Sequence, residues 1–208
     1  MPRKSKRATR SPDPVEAALA LAAERRWQSV GLADIAERAG ISLAALLDSY
    51  PAKASIVAAF ARRIDRAVAE GSDEALADRP ATERLFDVVM RRLDALAPYK
   101  EGLRSILRGS CLDAEAALTG ACAMHRSLTV MLESAGLSAS GPLGALRRKG
   151  LALIYADTLR VWLDDDSEDM ARTMKTLDGH LRRADRLVRA LCRLGPGATR
   201  EHEATAEG

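Results

Sequence analysis

Aromatic residues make up only 3% of this 208-residue chain, as two Trp, three Tyr and two Phe. Runs in which β-branched or aromatic residues alternate with polar ones are therefore scarce. Ala, Leu, Arg and Glu dominate instead and favour helices. An all-α protein is expected. No apolar run approaches the ~20 residues that a bilayer span needs, and the basic N-terminus has no hydrophobic segment behind it. A soluble, cytoplasmic chain without stable membrane insertion follows as an expectation. Cysteine is rare as well. Cys111, Cys122 and Cys192 are odd in number and widely spaced within apolar patterns, which predicts buried free thiols rather than a disulfide framework or a zinc site. His125, His180 and His202 have no Cys, Asp or Glu at metal-ligand spacing. A phosphate-cradling glycine loop, a nucleophile elbow and a recognisable carboxylate pair are all missing. No catalytic residue, metal or cofactor is expected, and the chain does not read as an enzyme.

What is present is ordinary for a soluble globular protein: 47% hydrophobic and 29% charged residues, in a length that can bury one or two cores. The formal charge is +3, yet Arg3, Lys4, Lys6, Arg7 and Arg10 supply five positive charges with no acid among them, so the rest of the chain carries −2. Residues 1–12 are expected to be a disordered basic arm. Such an arm either adds phosphate and minor-groove contacts or merely solubilises the terminus.

The most informative stretch runs from residue 32 to 60. Asp13 and Pro14 start a first helix whose inward face is Val15, Leu19, Ala22 and Ala23, ending near Trp27. Leu32, Ile35 and Ala36 give the apolar face of a short second helix, and Ala39-Gly40 breaks it where a tight turn needs positive φ. Ser42 caps a third helix with an apolar face of Ala45, Leu46 and Tyr50, and Pro51 ends it. Lys53 then opens a longer helix with the stripe Ile56, Val57, Phe60, Ile64 and Val68. This is the organisation of a helix-turn-helix closed by a further helix. Residues 13–71 are expected to form that domain, and the polar stretch from Gly71 to Pro80 to separate it from a helical bundle over 80–194, about nine helices in all. A disordered tail is expected at 195–208.

In the bundle, Leu85, Val88, Val89, Leu93 and Leu96 form one stripe, Leu103, Ile106 and Leu107 the next, and Leu118, Cys122, Leu128, Met131 and Leu132 a third. Leu143 to Leu163 is apolar on two sides: Leu151, Ile154, Val161 and Trp162 on one, Leu153, Ala156 and Leu163 on the other. A helix so widely apolar needs cover beyond its own monomer's core. The acidic run from Asp164 to Asp169 lacks the glycine and distal Glu of a calcium loop and reads as a turn, with Asp166 or Ser167 capping the next helix. That last helix repeats Met170, Met174, Leu177, Leu181, Ala184, Val188 and Leu191 at heptad spacing, a stripe that either packs internally or joins two copies.

Ile-Ala-Glu-Arg-Ala-Gly-Ile-Ser at 35–42, followed by Tyr-Pro-Ala-Lys at 50–53, resembles the recognition segment of the TetR family of bacterial transcriptional regulators. Ala-Leu-Ala-Leu-Ala-Ala-Glu-Arg-Arg-Trp upstream is similar to that family's first helix. The resemblance implies a homodimeric DNA-binding regulator, by default a repressor, released from a palindromic operator on double-stranded DNA by a small apolar ligand. On this reading DNA is met by the arm and by Ser42, Leu43, Ala44, Ala45, Ser49, Tyr50 and Lys53. Candidate pocket residues are Met90, Leu93, Leu103, Leu107, Cys122, Met131 and Tyr155. The last two helices would form the dimer through Leu151, Ile154, Val161, Trp162 and the heptad stripe. Where the family usually has a capping Thr, and a Tyr and a His near the end of the recognition helix, this chain has Gly31, Leu47 and Ser49. Residues 11–71 contain seven Lys and Arg against eight Asp and Glu. A second reading stays open: Trp162-Leu-Asp-Asp-Asp-Ser-Glu-Asp-Met and the residues after it resemble a helix junction in a TetR-fold lipid-binding family of ubiquinone biosynthesis, in which case the helix-turn-helix would be vestigial.

Overall fold

The computed structural model describes residues 13–71, 78–110, 114–167 and 169–194. Both the basic arm and the C-terminal tail lie outside the described residues. Among the described residues there are nine α-helices and no strand: α1 (Pro14–Glu24), α2 (Leu32–Arg38), α3 (Leu43–Ser49), α4 (Lys53–Glu70), α5 (Ala81–Leu96), α6 (Lys100–Ser110), α7 (Ala114–Ser134), α8 (Gly141–Leu163) and α9 (Ala171–Leu194). None is long and apolar enough to cross a membrane alone. The helices gather into two compact units. One takes the described residues up to Glu70 together with Asp94–Ser127, the other Gly71–Leu93 with the described residues from Leu128 onward.

In the first unit, Asp13 caps α1 by accepting from the Val15 N–H at 2.9 Å, and Pro14 fits the first turn because no donor is missed there. Val15, Ala17, Ala18, Leu19, Leu21 and Ala22 are buried, a wider face than expected, whereas Ala23 is exposed. The cause is α6, which lies so close to α1 that a Cβ on Gly102 would stand 2.6 Å from the Leu19 carbonyl oxygen. Helix α1 stops at Glu24, and Trp27 begins a separate 3-10 turn, Trp27–Ser29. The Trp27 N–H donates to Ser105 Oγ at 3.0 Å, and Ser105 in turn donates to the Arg25 carbonyl at 3.3 Å. Helix α4 is tied to α1 by Arg63, which bonds Asp13 and Glu16, and its Phe60 meets Tyr99 edge-on at 5.0 Å. Burial and the bond that its hydroxyl donates to Glu16 at 3.0 Å push the Tyr99 phenol above its ordinary pKa.

The second unit is built from the first part of α5, the end of α7, and α8 with α9. Leu85, Val88, Val89, Leu93, Leu128, Met131 and Leu132 are buried as their spacing predicts. Arg92, on the same helix, is buried too. Its Nε donates to the Tyr155 hydroxyl at 3.1 Å, so the hydroxyl of this candidate pocket residue is engaged inside the core. Two residues past the end of α7 stands Gly136, whose φ of 68° lets the Leu137 N–H return to the Leu132 carbonyl at 2.9 Å.

The turn before α9 differs from expectation. Asp165, not Asp166 or Ser167, is the capping acid: one oxygen accepts from Ser167 Oγ at 2.5 Å, the other from the Thr173 N–H at 3.0 Å and hydroxyl at 2.7 Å. Two hydroxyls and a first-turn amide converge on it because Asp165 is buried at 3% exposure, whereas Asp166 and Ser167 face solvent. The Ser167 hydroxyl first, and then Thr173, hold this carboxyl well below the usual carboxylate range against the opposing effect of burial.

Candidate nucleic-acid interface and ligand cavity

Helix α2 begins at Gly31, which has no side chain to cap it. Asp34 supplies half of a capping box by accepting from the Gly31 N–H at 2.7 Å, and it also pairs with Arg25 at 2.7 Å. Ile35, Ala36 and Ala39 are buried, and Gly40 turns the chain at φ 63°. Ser42 caps α3 as expected, its Oγ accepting from the Ala45 N–H at 3.1 Å. Leu46 is fully buried and anchors α3, an apolar burial contributing about 1.5–3 kcal/mol. Tyr50 is half-buried, but Ala45 is exposed rather than part of the inner face. Within α3 only Leu46 is buried, so one leucine and the flanking turns hold the helix. Ser42, Leu43, Ala44, Ala45, Leu47, Asp48 and Ser49 therefore all reach solvent.

The charges around this helix are mostly engaged. Arg38 makes two bonds to Glu24, at 2.8 and 2.6 Å. Lys53 points inward: its Nζ donates to the carbonyls of Trp27 at 3.0 Å and Val30 at 2.8 Å, and lies 4.7 Å from the centre of the Trp27 ring. Both carbonyls belong to the segment between α1 and α2, and that of Trp27 also accepts the Val30 N–H closing the 3-10 turn at 3.2 Å, so the ammonium fastens the α4 start to the segment that enters α2. Periodicity gave no sign of this, since a lysine at a helix start reads as solvated.

Beside Lys53 lies a cavity of about 610 Å³. Its walls come from Trp27, Gln28 and Leu32, from Pro51 and Ala52 before α4 and Lys53, Ala54, Val57 and Ala58 at its start, from Leu103, Ile106, Leu107 and Gly109 of α6, and from Ala116, Thr119, Gly120 and Ala123 of α7. Leu103 and Leu107 thus share one cavity. Cys122 borders a smaller one of about 220 Å³ with Asp65, Arg62 and Arg126, and its thiol is exposed instead of buried. Cys111 and the Cys192 side chain lie outside the described residues. Leu93, Met131 and Tyr155 are buried in the core of the second unit, and Met90 is half-buried there.

Comparison with known proteins finds similar segments and folds. Residues 15–60 match the model described as bacterial regulatory proteins, tetR family. Residues 15–60 are similar to the TetR N-terminal domain. The fold around it is TetR-like as well. A TetR transcriptional regulator from Nitrosomonas europaea is 26% identical, with 83% of this chain and 95% of that chain covered and a TM-score of 0.69. Regulators of the same family from a Rhodococcus species and from Streptomyces coelicolor are each 20% identical, with TM-scores of 0.59 and 0.52. The first pair covers 81% of this chain and 93% of that one, the second 88% and 98%. Residues 145–188 separately match the COQ9 model. No curated protein matches the chain.

In this TetR-like protein the last two helices do not divide as the heptad suggested. Leu151, Trp162, Leu177 and Leu181 are buried in the monomer's own core, and Ile154, Val161, Met170, Met174 and Ala184 are half-buried. Of the described stripe only Val188 is prominently exposed, and the Leu191 side chain lies outside the described residues. The exposed apolar residues are Leu143, Leu146 and Leu153 of α8 and Leu187 of α9, with Leu153 at 77% and Leu187 at 66% exposure. His180 Nε2 meets Asp157 Oδ2 at 2.8 Å, which fixes the antiparallel register of α8 and α9. From that pair, one face runs through Leu153 and Leu146 on α8 and through Ala184 and Leu187 on α9. His180 first, and then Arg160, lower the Asp157 pKa.

Proposed function

We propose that this protein is a TetR-type transcriptional regulator, by default a cytoplasmic repressor, that binds a palindromic operator as a homodimer and leaves it when a small apolar molecule binds. The observation that carries this reading is the helix-turn-helix over α2 and α3, within a segment that matches the TetR N-terminal model, on a TetR-like body. The reading is of a binding protein, not an enzyme.

The 610 Å³ cavity supports the effector. It is within the size range of small-molecule sites, and its walls are largely Ala, Leu, Ile, Val and Trp. The same walls include Pro51, Lys53 and Leu32, so a ligand there would touch the elements that set the pose of α3. A molecule that binds one arrangement of α4 and α6 better than another alters operator affinity by that differential affinity. A second copy would cover Leu146, Leu153, Leu187 and Val188, since an apolar face of this kind on two adjacent helices is self-complementary about a two-fold axis.

The test is fluorescence-anisotropy binding of the full chain to duplexes from upstream of its own gene, with scrambled duplex as control and salt varied. Preference for the upstream duplex by about a thousandfold supports the regulator. Equal, weak and salt-labile binding to both would overturn it. The COQ9 match at 145–188 favours a second reading, a TetR-fold lipid or isoprenoid carrier whose helix-turn-helix reads no DNA. Stoichiometric lipid extracted from the purified protein, together with equal binding to both duplexes, would favour that reading.

A further inference from the structure

The exposed face of α3 has an unusual chemistry for a helix that reads bases. Sequence is read in the major groove chiefly by side-chain donors, with Arg or Lys on guanine and Asn or Gln on adenine. From Leu43 to Ser49 there is none of these four residues. Neighbouring cations do not make up for them: Arg38 is held by Glu24, Arg25 by Asp34 and Lys53 by two carbonyls. What α3 presents is Leu43 at 43% exposure and Leu47 at 41%, one turn apart on the same face, with Ala44 beside them. Asp48 is the only charged group on the helix, and its carboxylate accepts hydrogen bonds without donating any.

Resting on the regulator reading above, we propose that Leu43 and Leu47 read thymine C5-methyl groups, so that the contacted positions of each operator half-site are thymines chosen by apolar contact. The methyl is the one apolar feature that distinguishes a base in the major groove. Two leucines half-exposed to water gain by burial against such a group, and Ala44 leaves room for close approach of the helix. Asp48 accepts and cannot donate, which keeps the whole face free of guanine-specific donors.

The experiment is a selection of the full-length protein on random duplexes, followed by resynthesis of the enriched duplex with every thymine in the contacted half-sites replaced by uracil. Uracil pairs identically and lacks only the methyl. Weakening of about fourfold for each buried methyl lost is expected. In a Leu43→Ala/Leu47→Ala variant the thymine-to-uracil ratio should fall towards one. Both leucines are exposed, so circular dichroism should show the fold intact. Equal affinity of the wild-type protein for thymine and uracil duplexes would overturn the methyl readout while leaving the regulator standing. So would a ratio that persists undiminished in the variant, because the shape of the duplex and not the leucines would then carry it. A pool from which no sequence enriches would overturn the regulator reading and this inference with it.

Discussion

Lys53 and Asp165 show how a single charged side chain holds a segment that periodicity leaves unexplained. Lys53 stands where the family resemblance places a DNA contact, yet its ammonium donates to the Trp27 and Val30 carbonyls and lies by the Trp27 ring. Lys53→Met keeps the aliphatic stem and removes the ammonium. Urea unfolding should show a loss of about 1–2 kcal/mol, as for hydrogen bonds from a charged group. The slope of log affinity for DNA against log salt should stay unchanged, whereas loss of a phosphate contact would reduce it by about 0.9. Asp165 carries a pH dependence. Its folded pKa lies far below the ordinary ~3.9 of an unfolded Asp, so its stabilisation is fully present above about pH 5 and is lost as the pH falls below about 4. Asp165→Asn should therefore be less stable than the wild type by a constant amount, about 2–3 kcal/mol, from pH 5 to 8. The difference should narrow on acidification, as read from urea midpoints at a series of pH values.

At the scale of elements, the helices that carry strong punctuation are those the sequence makes legible. Asp13-Pro14, Gly40, Ser42 and Pro51 each act through a local rule, and the helix-turn-helix could be placed from them alone. Close approach between helices is a different matter, because it depends on what another segment brings. Nothing local marks Gly102 as the site where α6 meets the α1 backbone. The same blindness put Leu177 and Leu181 in an interface: a heptad stripe shows that a face is covered, not whether the cover is the same chain or a copy. Gly102→Ala tests the packing. Its new methyl would meet the Leu19 carbonyl, so a loss of about 1–3 kcal/mol is expected despite alanine's better helix propensity. Gly120→Ala, in α7 with nothing within 4 Å of the added carbon, should instead gain up to about 1 kcal/mol. Thermal melts of the two variants should therefore move in opposite directions.

For the whole molecule, the question is which apolar residues a second copy would cover. The two-sided apolar pattern of α8 already signalled an uncovered face. The heptad of α9 drew attention to the side that the monomer core uses, while the exposed side passes through Leu146, Leu153 and Leu187. Leucines this exposed, recurring on one side of two adjoining helices that the Asp157–His180 pair holds in register, fit an interface better than a solvated face. Leu153→Glu places a carboxylate on that patch. In a two-fold arrangement each change enters the contact twice, so the dimer should fall apart into folded monomers. Sedimentation velocity at micromolar concentration would show half the mass, with the helical circular dichroism unaltered. Leu181→Glu, by contrast, buries a charge at a site that is 4% exposed within the monomer and should cost the fold itself. If Leu153→Glu sediments as the wild type does while both remain dimeric, the interface lies elsewhere on the protein. If the wild type is already a monomer, the palindromic operator loses its structural basis, because one helix-turn-helix reads one half-site.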